Sequence, residues 1–163
     1  MIILGIDPGT ATVGFGVILV NGHESYEVID MGWILTDKSL PQGKRLIQIN
    51  KEIGQLIVKH RPDVMAIERL FFANNAKTAM AVAQAFGAIL MAATSKKLPS
   101  FEYTPPQVKL SIAGKGNADK QLVMKEVRRL LKVRSPKKKK TNFNDVADAL
   151  AIAVCHARQQ SAK

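Results

Sequence analysis

Four acidic side chains stand where this chain could do chemistry: Asp7, Glu68, Asp145 and Asp148. Asp7 closes the apolar run that begins at Ile2, and the turn signal Pro8-Gly9-Thr10 follows it. Glu68 closes a second short apolar run, Val64 to Ile67. An acid at a strand end is commonly a solvated turn residue, but strand ends of α/β sheets are also where functional groups collect. If the two strands are neighbours, Asp7 and Glu68 become neighbours too. Asp145 and Asp148 are three residues apart in the last helical segment and so share one face. For Asp145 the positive end of a helix dipole is a sufficient structural reason. Asp148 has a weaker one, because Ala147, Ala149, Leu150 and Ile152 surround it and no base lies within a turn. A carboxylate on such an apolar boundary needs a partner.

Carboxylates that cluster repel one another unless a cation neutralises them. Oxygen-only ligands select hard divalent ions, Mg2+ or Mn2+, rather than zinc. Two such ions about 3.5–4 Å apart can activate water and stabilise the leaving oxygen of a phosphodiester. The acids therefore point to metal-dependent phosphodiester hydrolysis.

Charge distribution names the class of substrate. The chain of 163 residues carries a net charge of +11, and residues 96–140 hold 14 Lys/Arg against 3 Asp/Glu. Residues 1–95 balance at 8 of each sign. An excess confined to one third of the chain suggests a face for a polyanion, nucleic acid above all, although a merely solvated basic surface has the same composition. Lys137–Lys140 is the densest run, either a set of phosphate contacts or a solvated loop.

The elements that must position these groups follow from periodicity. Runs over 2–7, 13–20 and 26–35 predict a three-strand meander, with Asn21-Gly22-His23 as the hairpin turn. Leu46, Ile49, Ile53, Leu56 and Ile57 fall at helical spacing and Pro62 stops the helix. The strand ending at Glu68 follows that crossover and so should run parallel to the first. Residues 78–95 contain no charge. They are too polar and alanine-rich for a membrane span, so a buried helix is expected, with one face available to a subunit interface. Residues 100–104 predict a last strand closed by Pro105-Pro106, and Asn117 is expected to cap a helix striped by Val123, Val127, Leu130 and Leu131. A basic loop over about 132–141 leads to the final helix, about 144–158. The expected whole is one α/β domain over residues 1–163. The lone Cys155 excludes an intramolecular disulfide and a Cys-rich zinc site, and the start MIILGID is not a secretion signal. A cytoplasmic, reducing location without a membrane segment is the resulting expectation.

Four motifs in order, Gly-Ile-Asp-Pro-Gly-Thr-Ala-Thr-Val-Gly-Phe-Gly, Ala-Ile-Glu-Arg-Leu-Phe-Phe, Pro-Pro-Gln-Val-Lys and Asp-Val-Ala-Asp-Ala-Leu-Ala-Ile-Ala, closely resemble the bacterial RuvC family of Holliday-junction resolvases. The resemblance spans nearly the whole chain. It implies an RNase H-like fold, a five-stranded mixed sheet flanked by helices. It also implies a homodimer whose two sites make paired symmetric nicks in a four-way DNA junction, leaving 5′-phosphate and 3′-hydroxyl ends. Two Mg2+ ions per site and cooperation with the RuvA-RuvB branch-migration complex are further implications. Asp7, Glu68, Asp145 and Asp148 match the family's catalytic, metal-holding carboxylates. Phe71 matches an aromatic that contacts DNA near the cut, and Lys109 and Lys120 match bases that handle the cleaved phosphate and the junction. Core packing for Phe71 and phosphate binding by backbone N–H groups beside Lys120 are the alternatives. An actin-like phosphate-binding module also uses an Asp-x-Gly-Thr hairpin, but needs about twice this length.

Overall fold

The computed structural model describes residues 1–22, 24–70, 76–133 and 142–161. Strands β1 (Ile2–Asp7), β2 (Thr12–Val20) and β3 (Tyr26–Leu35) form the expected antiparallel meander. Helix α1 (Gln42–His60) crosses over to β4 (Val64–Glu68), which pairs parallel to β1. Helix α2 (Ala76–Ser95) leads to β5 (Ser100–Tyr103), parallel to β4, and α3 (Pro105–Ala113), α4 (Lys120–Leu131) and α5 (Phe143–Ser161) follow. The sheet has five strands in the order β3-β2-β1-β4-β5. It is mixed and flanked by helices, as the resemblance implies.

Each face of the sheet holds its own core. Ile49, Ile53 and Ile57 of α1 and Ala85 and Ile89 of α2 meet Leu4, Ile6, Val13 and Ile67 on one side. On the other side α5 lies against β1 and β2, with α3 and α4 around it. A Cβ on Gly5 or Gly14 would collide with the carbonyl oxygen of Ala149 or Asp145, and one on Gly16 with the Leu150 side chain. Those three glycines let the helix rest directly on the strands. The Tyr103 hydroxyl meets Nδ1 of buried His156 at 2.7 Å and ties β5 to the same helix.

One expectation is met and two change. The uncharged stretch forms α2 with one face buried and another left open: Ala85 and Ile89 are fully covered, while Met80 and Met91 are 70% and 67% exposed. Among the described residues no helix is long and apolar enough to cross a membrane. Pro105-Pro106 does close β5, but it also opens a helix. Thr104 accepts from the Gln107 backbone N–H while the Gln107 side chain accepts from the Thr104 N–H, a capping box with proline in the first turn. The cap of α4 is Asp119, not Asn117: its carboxylate accepts from the Leu122 N–H at 2.8 Å.

Candidate active site

Asp7 and Glu68 are at the C-terminal ends of β1 and β4, one residue past the paired Ile6 and Ile67. Two devices hold those ends. Gly9 makes the turn after Asp7 so tight that a Cβ would strike the Thr12 carbonyl. Arg45 donates from Nη2 to the Thr10 carbonyl and from Nε to the Thr36 hydroxyl, each at 2.8 Å, pinning the turn to α1. Arg45 carries no local sequence signal, since its partners are 35 and 9 residues away. Past Glu68 the Arg69 N–H donates to the Tyr103 carbonyl at 2.8 Å, so the strand end cannot fray from β5.

The first two turns of α5 bring Asp145 and Asp148 over this edge. Asp7 feels the charge of Glu68, Asp148 and Asp145, and Glu68 feels that of Asp148. The four acids that sequence analysis separated into two pairs are therefore one electrostatic group. Burial, then the Glu68, Asp148 and Asp145 charges, push Asp7 up to about 8. Burial, then the Asp148 charge, also raise Glu68 and Asp145.

The partner Asp148 lacked on its own helix comes from α4: Lys120 Nζ donates to its Oδ2 at 2.6 Å. Burial works against the Lys120 charge, but the hydrogen bond and charge of Asp148, with Asp7 and Asp145 behind it, raise the ammonium's pKa. Lys109, half-buried on α3, shares with Glu68, Lys120 and Asp148 the rim of a cavity of about 210 Å³. Val108, Val123 and Ile152 line its apolar wall. Both lysines singled out in the sequence thus stand beside the acids. Phe71 and Lys137–Lys140 lie outside the described residues.

The donor chemistry fits a hard cation, because all four groups offer oxygen and their mutual repulsion is what such an ion relieves. Among the described residues no three acid, imidazole or thiol groups are ready-placed around one ion. With Lys120 on Asp148, closing a shell requires side-chain rotation about fixed backbones.

Strand order, the acids at the ends of β1 and β4 and the helix laid across β1 define an α/β protein of the RNase H-like class. A family model described as crossover junction endodeoxyribonuclease RuvC matches residues 3–156. The relative of that name in Halothermothrix orenii is 46% identical over 156 residues, covering 96% of this chain and 92% of its own. Its counterpart in Caldicellulosiruptor saccharolyticus is 44% identical over 161 residues, 99% of this chain and 95% of its own. The solved structure of Thermus thermophilus RuvC in complex with Holliday junction substrate superposes with a TM-score of 0.88 at 34% identity, covering 98% of this chain and 94% of its own. The chain belongs to the RuvC family of crossover junction endodeoxyribonucleases.

Proposed function

We propose that this protein resolves four-way DNA junctions by metal-dependent phosphodiester hydrolysis, with Asp7, Glu68, Asp145 and Asp148 as the catalytic and metal-holding groups. The observation that carries the reading is the gathering of four carboxylates from β1, β4 and α5, with a lysine from α4 among them, in a chain of net charge +11. A relative has been solved with a Holliday junction as its substrate. Oxygen donors suit Mg2+, with Mn2+ as the alternative, and two ions per site. Bound there, the ions would supply a water nucleophile and stabilise the leaving oxygen, giving 5′-phosphate and 3′-hydroxyl ends.

The residues of this chain do the rest. Lys120 neutralises Asp148 in the free protein and is placed to turn its ammonium to a phosphate of the bound strand, and Lys109 meets the backbone from the rim of the same cavity. Phe71 contacts DNA near the cut, on sequence grounds alone. Lys137–Lys140 adds phosphate contacts, so neutralising the run should flatten the salt dependence of binding. Paired nicks need two sites, and a homodimer formed over the open face of α2, with Met80 and Met91, supplies them. Residues 1–163 act as one nuclease domain in cytoplasmic recombination and repair, in cooperation with the RuvA-RuvB branch-migration complex. The test is a synthetic four-way junction incubated with Mg2+. Two symmetric nicks in strands of like polarity are expected. Intact strands despite tight binding would overturn the reading in favour of a non-catalytic junction-binding protein.

A further inference from the structure

The rung of the sheet that carries Asp7 continues past it to an exposed aromatic. Asp7 pairs with Gly14, and Gly14 pairs with Trp33 on the edge strand β3. Residues directly opposed across a ladder share a face, so Trp33 leaves the sheet on the α5 side, as Asp7 does. Neighbouring strands are about 4.8 Å apart, which puts the Trp33 backbone about 10 Å from that of Asp7. The first turn of α5 fills the space between them, its Asp145 carbonyl set down on Gly14.

Trp33 is 39% exposed, and its neighbours on that face, Met31 and Leu35, are 38% and 54% exposed. A row of large apolar side chains along an edge strand is normally covered or broken by charge. Among the described residues it is neither, and it lies on the rung that carries Asp7. Helix α4 packs against β3 and carries Arg128 and Arg129 in its last turn. The Arg128 guanidinium is 5.4 Å from the ring of Phe143, at the start of α5. An open aromatic on the rung of the carboxylate site, on a strand against which a basic helix packs, is the make-up of a surface on which nucleobases stack while the backbone is held by charge.

We infer that Trp33, buttressed by Met31 and Leu35, is a stacking platform for a nucleobase of the DNA engaged at the carboxylates. The inference rests on the junction-cutting reading, because it is that site which brings DNA to within two strand spacings of the indole. Stacking there holds the strand on the β3 side of α5 while Lys120 and Lys109 hold it on the other. A second copy pairing along the free edge of β3 is the competing occupant.

Trp33 is the sole tryptophan, so its emission reports the platform directly. Junction DNA is titrated into the otherwise unaltered Asp7→Asn chain with Mg2+, where strands stay uncut. Emission is expected to be quenched in step with binding. Trp33→Ala should weaken junction binding roughly tenfold, and Trp33→Phe should restore most of it. Emission unchanged at saturation overturns the inference, as does emission that follows protein concentration without DNA. Should Trp33→Ala fail to fold, the titration still decides the matter. Cleavage by the unsubstituted chain separates the two ideas: cutting without an indole response removes only the platform, whereas no cutting removes the function beneath it.

Discussion

Asp30 and Asp7 are both acids on strands of one sheet, and the protein treats them in opposite ways. Asp30, on β3, accepts from Lys59 Nζ and meets His60 Nε2, each at 2.8 Å. Burial alone would raise its pKa, yet the hydrogen bond and charge of Lys59, with His60 and the Met31 N–H, bring it down. Glu24, Glu102 and Glu126 are likewise each joined to an arginine. At the other end of the sheet Asp7, Glu68, Asp145 and Asp148 have Lys120 at ion-pairing distance, on Asp148. Asp30, Glu24, Glu102 and Glu126 are each matched by a base and Asp119 by a backbone N–H, whereas among the described residues the four acids held for chemistry share one lysine. A deficit of that kind is stable only because the fold contributes what the charges do not, and it leaves the group ready to take up cations.

The sharpest way to break the comparison is to remove charge on the deficient side. Asp7→Asn or Glu68→Gln should reduce junction nicking by about a thousandfold or more while leaving junction affinity nearly intact, read by cleavage and gel-shift assays in parallel. Near-normal cutting by either would place the chemistry elsewhere. Lys120→Gln should slow nicking about a hundredfold and, without DNA, tighten Mn2+ binding measured by calorimetry, since the lysine and the ion seek the same carboxylate. Weaker Mn2+ binding would mean Lys120 organises the acids rather than competing for them.

A pH experiment sharpens the comparison without DNA. In chelator, folded Asp7 keeps its proton up to about pH 8, whereas the unfolded chain releases it near its ordinary 3.8. The folded state therefore binds more protons across that window, and stability falls as pH rises through it. Asp7→Asn lacks this loss. It should exceed the parent by a few kcal/mol at pH 9 and converge with it below pH 4, read from urea midpoints. Asp30 has the opposite sign: its contribution is present above the unfolded value and is lost as pH falls through the lower folded one. Asp30→Asn should cost no more than about 1 kcal/mol at neutral pH and leave nicking unchanged. That is the smallest effect, and a large loss of nicking would erase the distinction between the two kinds of acid.

Local signals made most of this legible in sequence. Strands β1 to β3, the crossover helix and the parallel β4 follow from periodicity, and the acids from their awkward places at strand ends and on an apolar helix face. Positions set by partners far along the chain were not legible. Lys120 and Asp148 are 28 residues apart, and only the packing of α4 on α5 joins them. Trp33 read as one more strand residue until the register put it on the rung of Asp7. Helix α3 was hidden for another reason, since proline stops a strand and starts a helix equally well, and Thr104 and Gln107 had to be read together. For α2, absence of charge signalled a largely apolar helix with a face to spare, but which residues form that face, Met80 and Met91 among them, came only from its packing on α1.

The three glycines beneath α5 have a mechanical consequence. Gly14 lies under the turn that carries Asp145, while Gly5 and Gly16 support the helix near Ala149 and Leu150. A helix of 19 residues is a lever about 28 Å long, and these are its bearings. A methyl group at position 14 would lift one end about the other two, carrying Asp145 and Asp148 away from Asp7 with every reactive atom still present. The gauge of the cutting edge is set by side chains that end at a hydrogen.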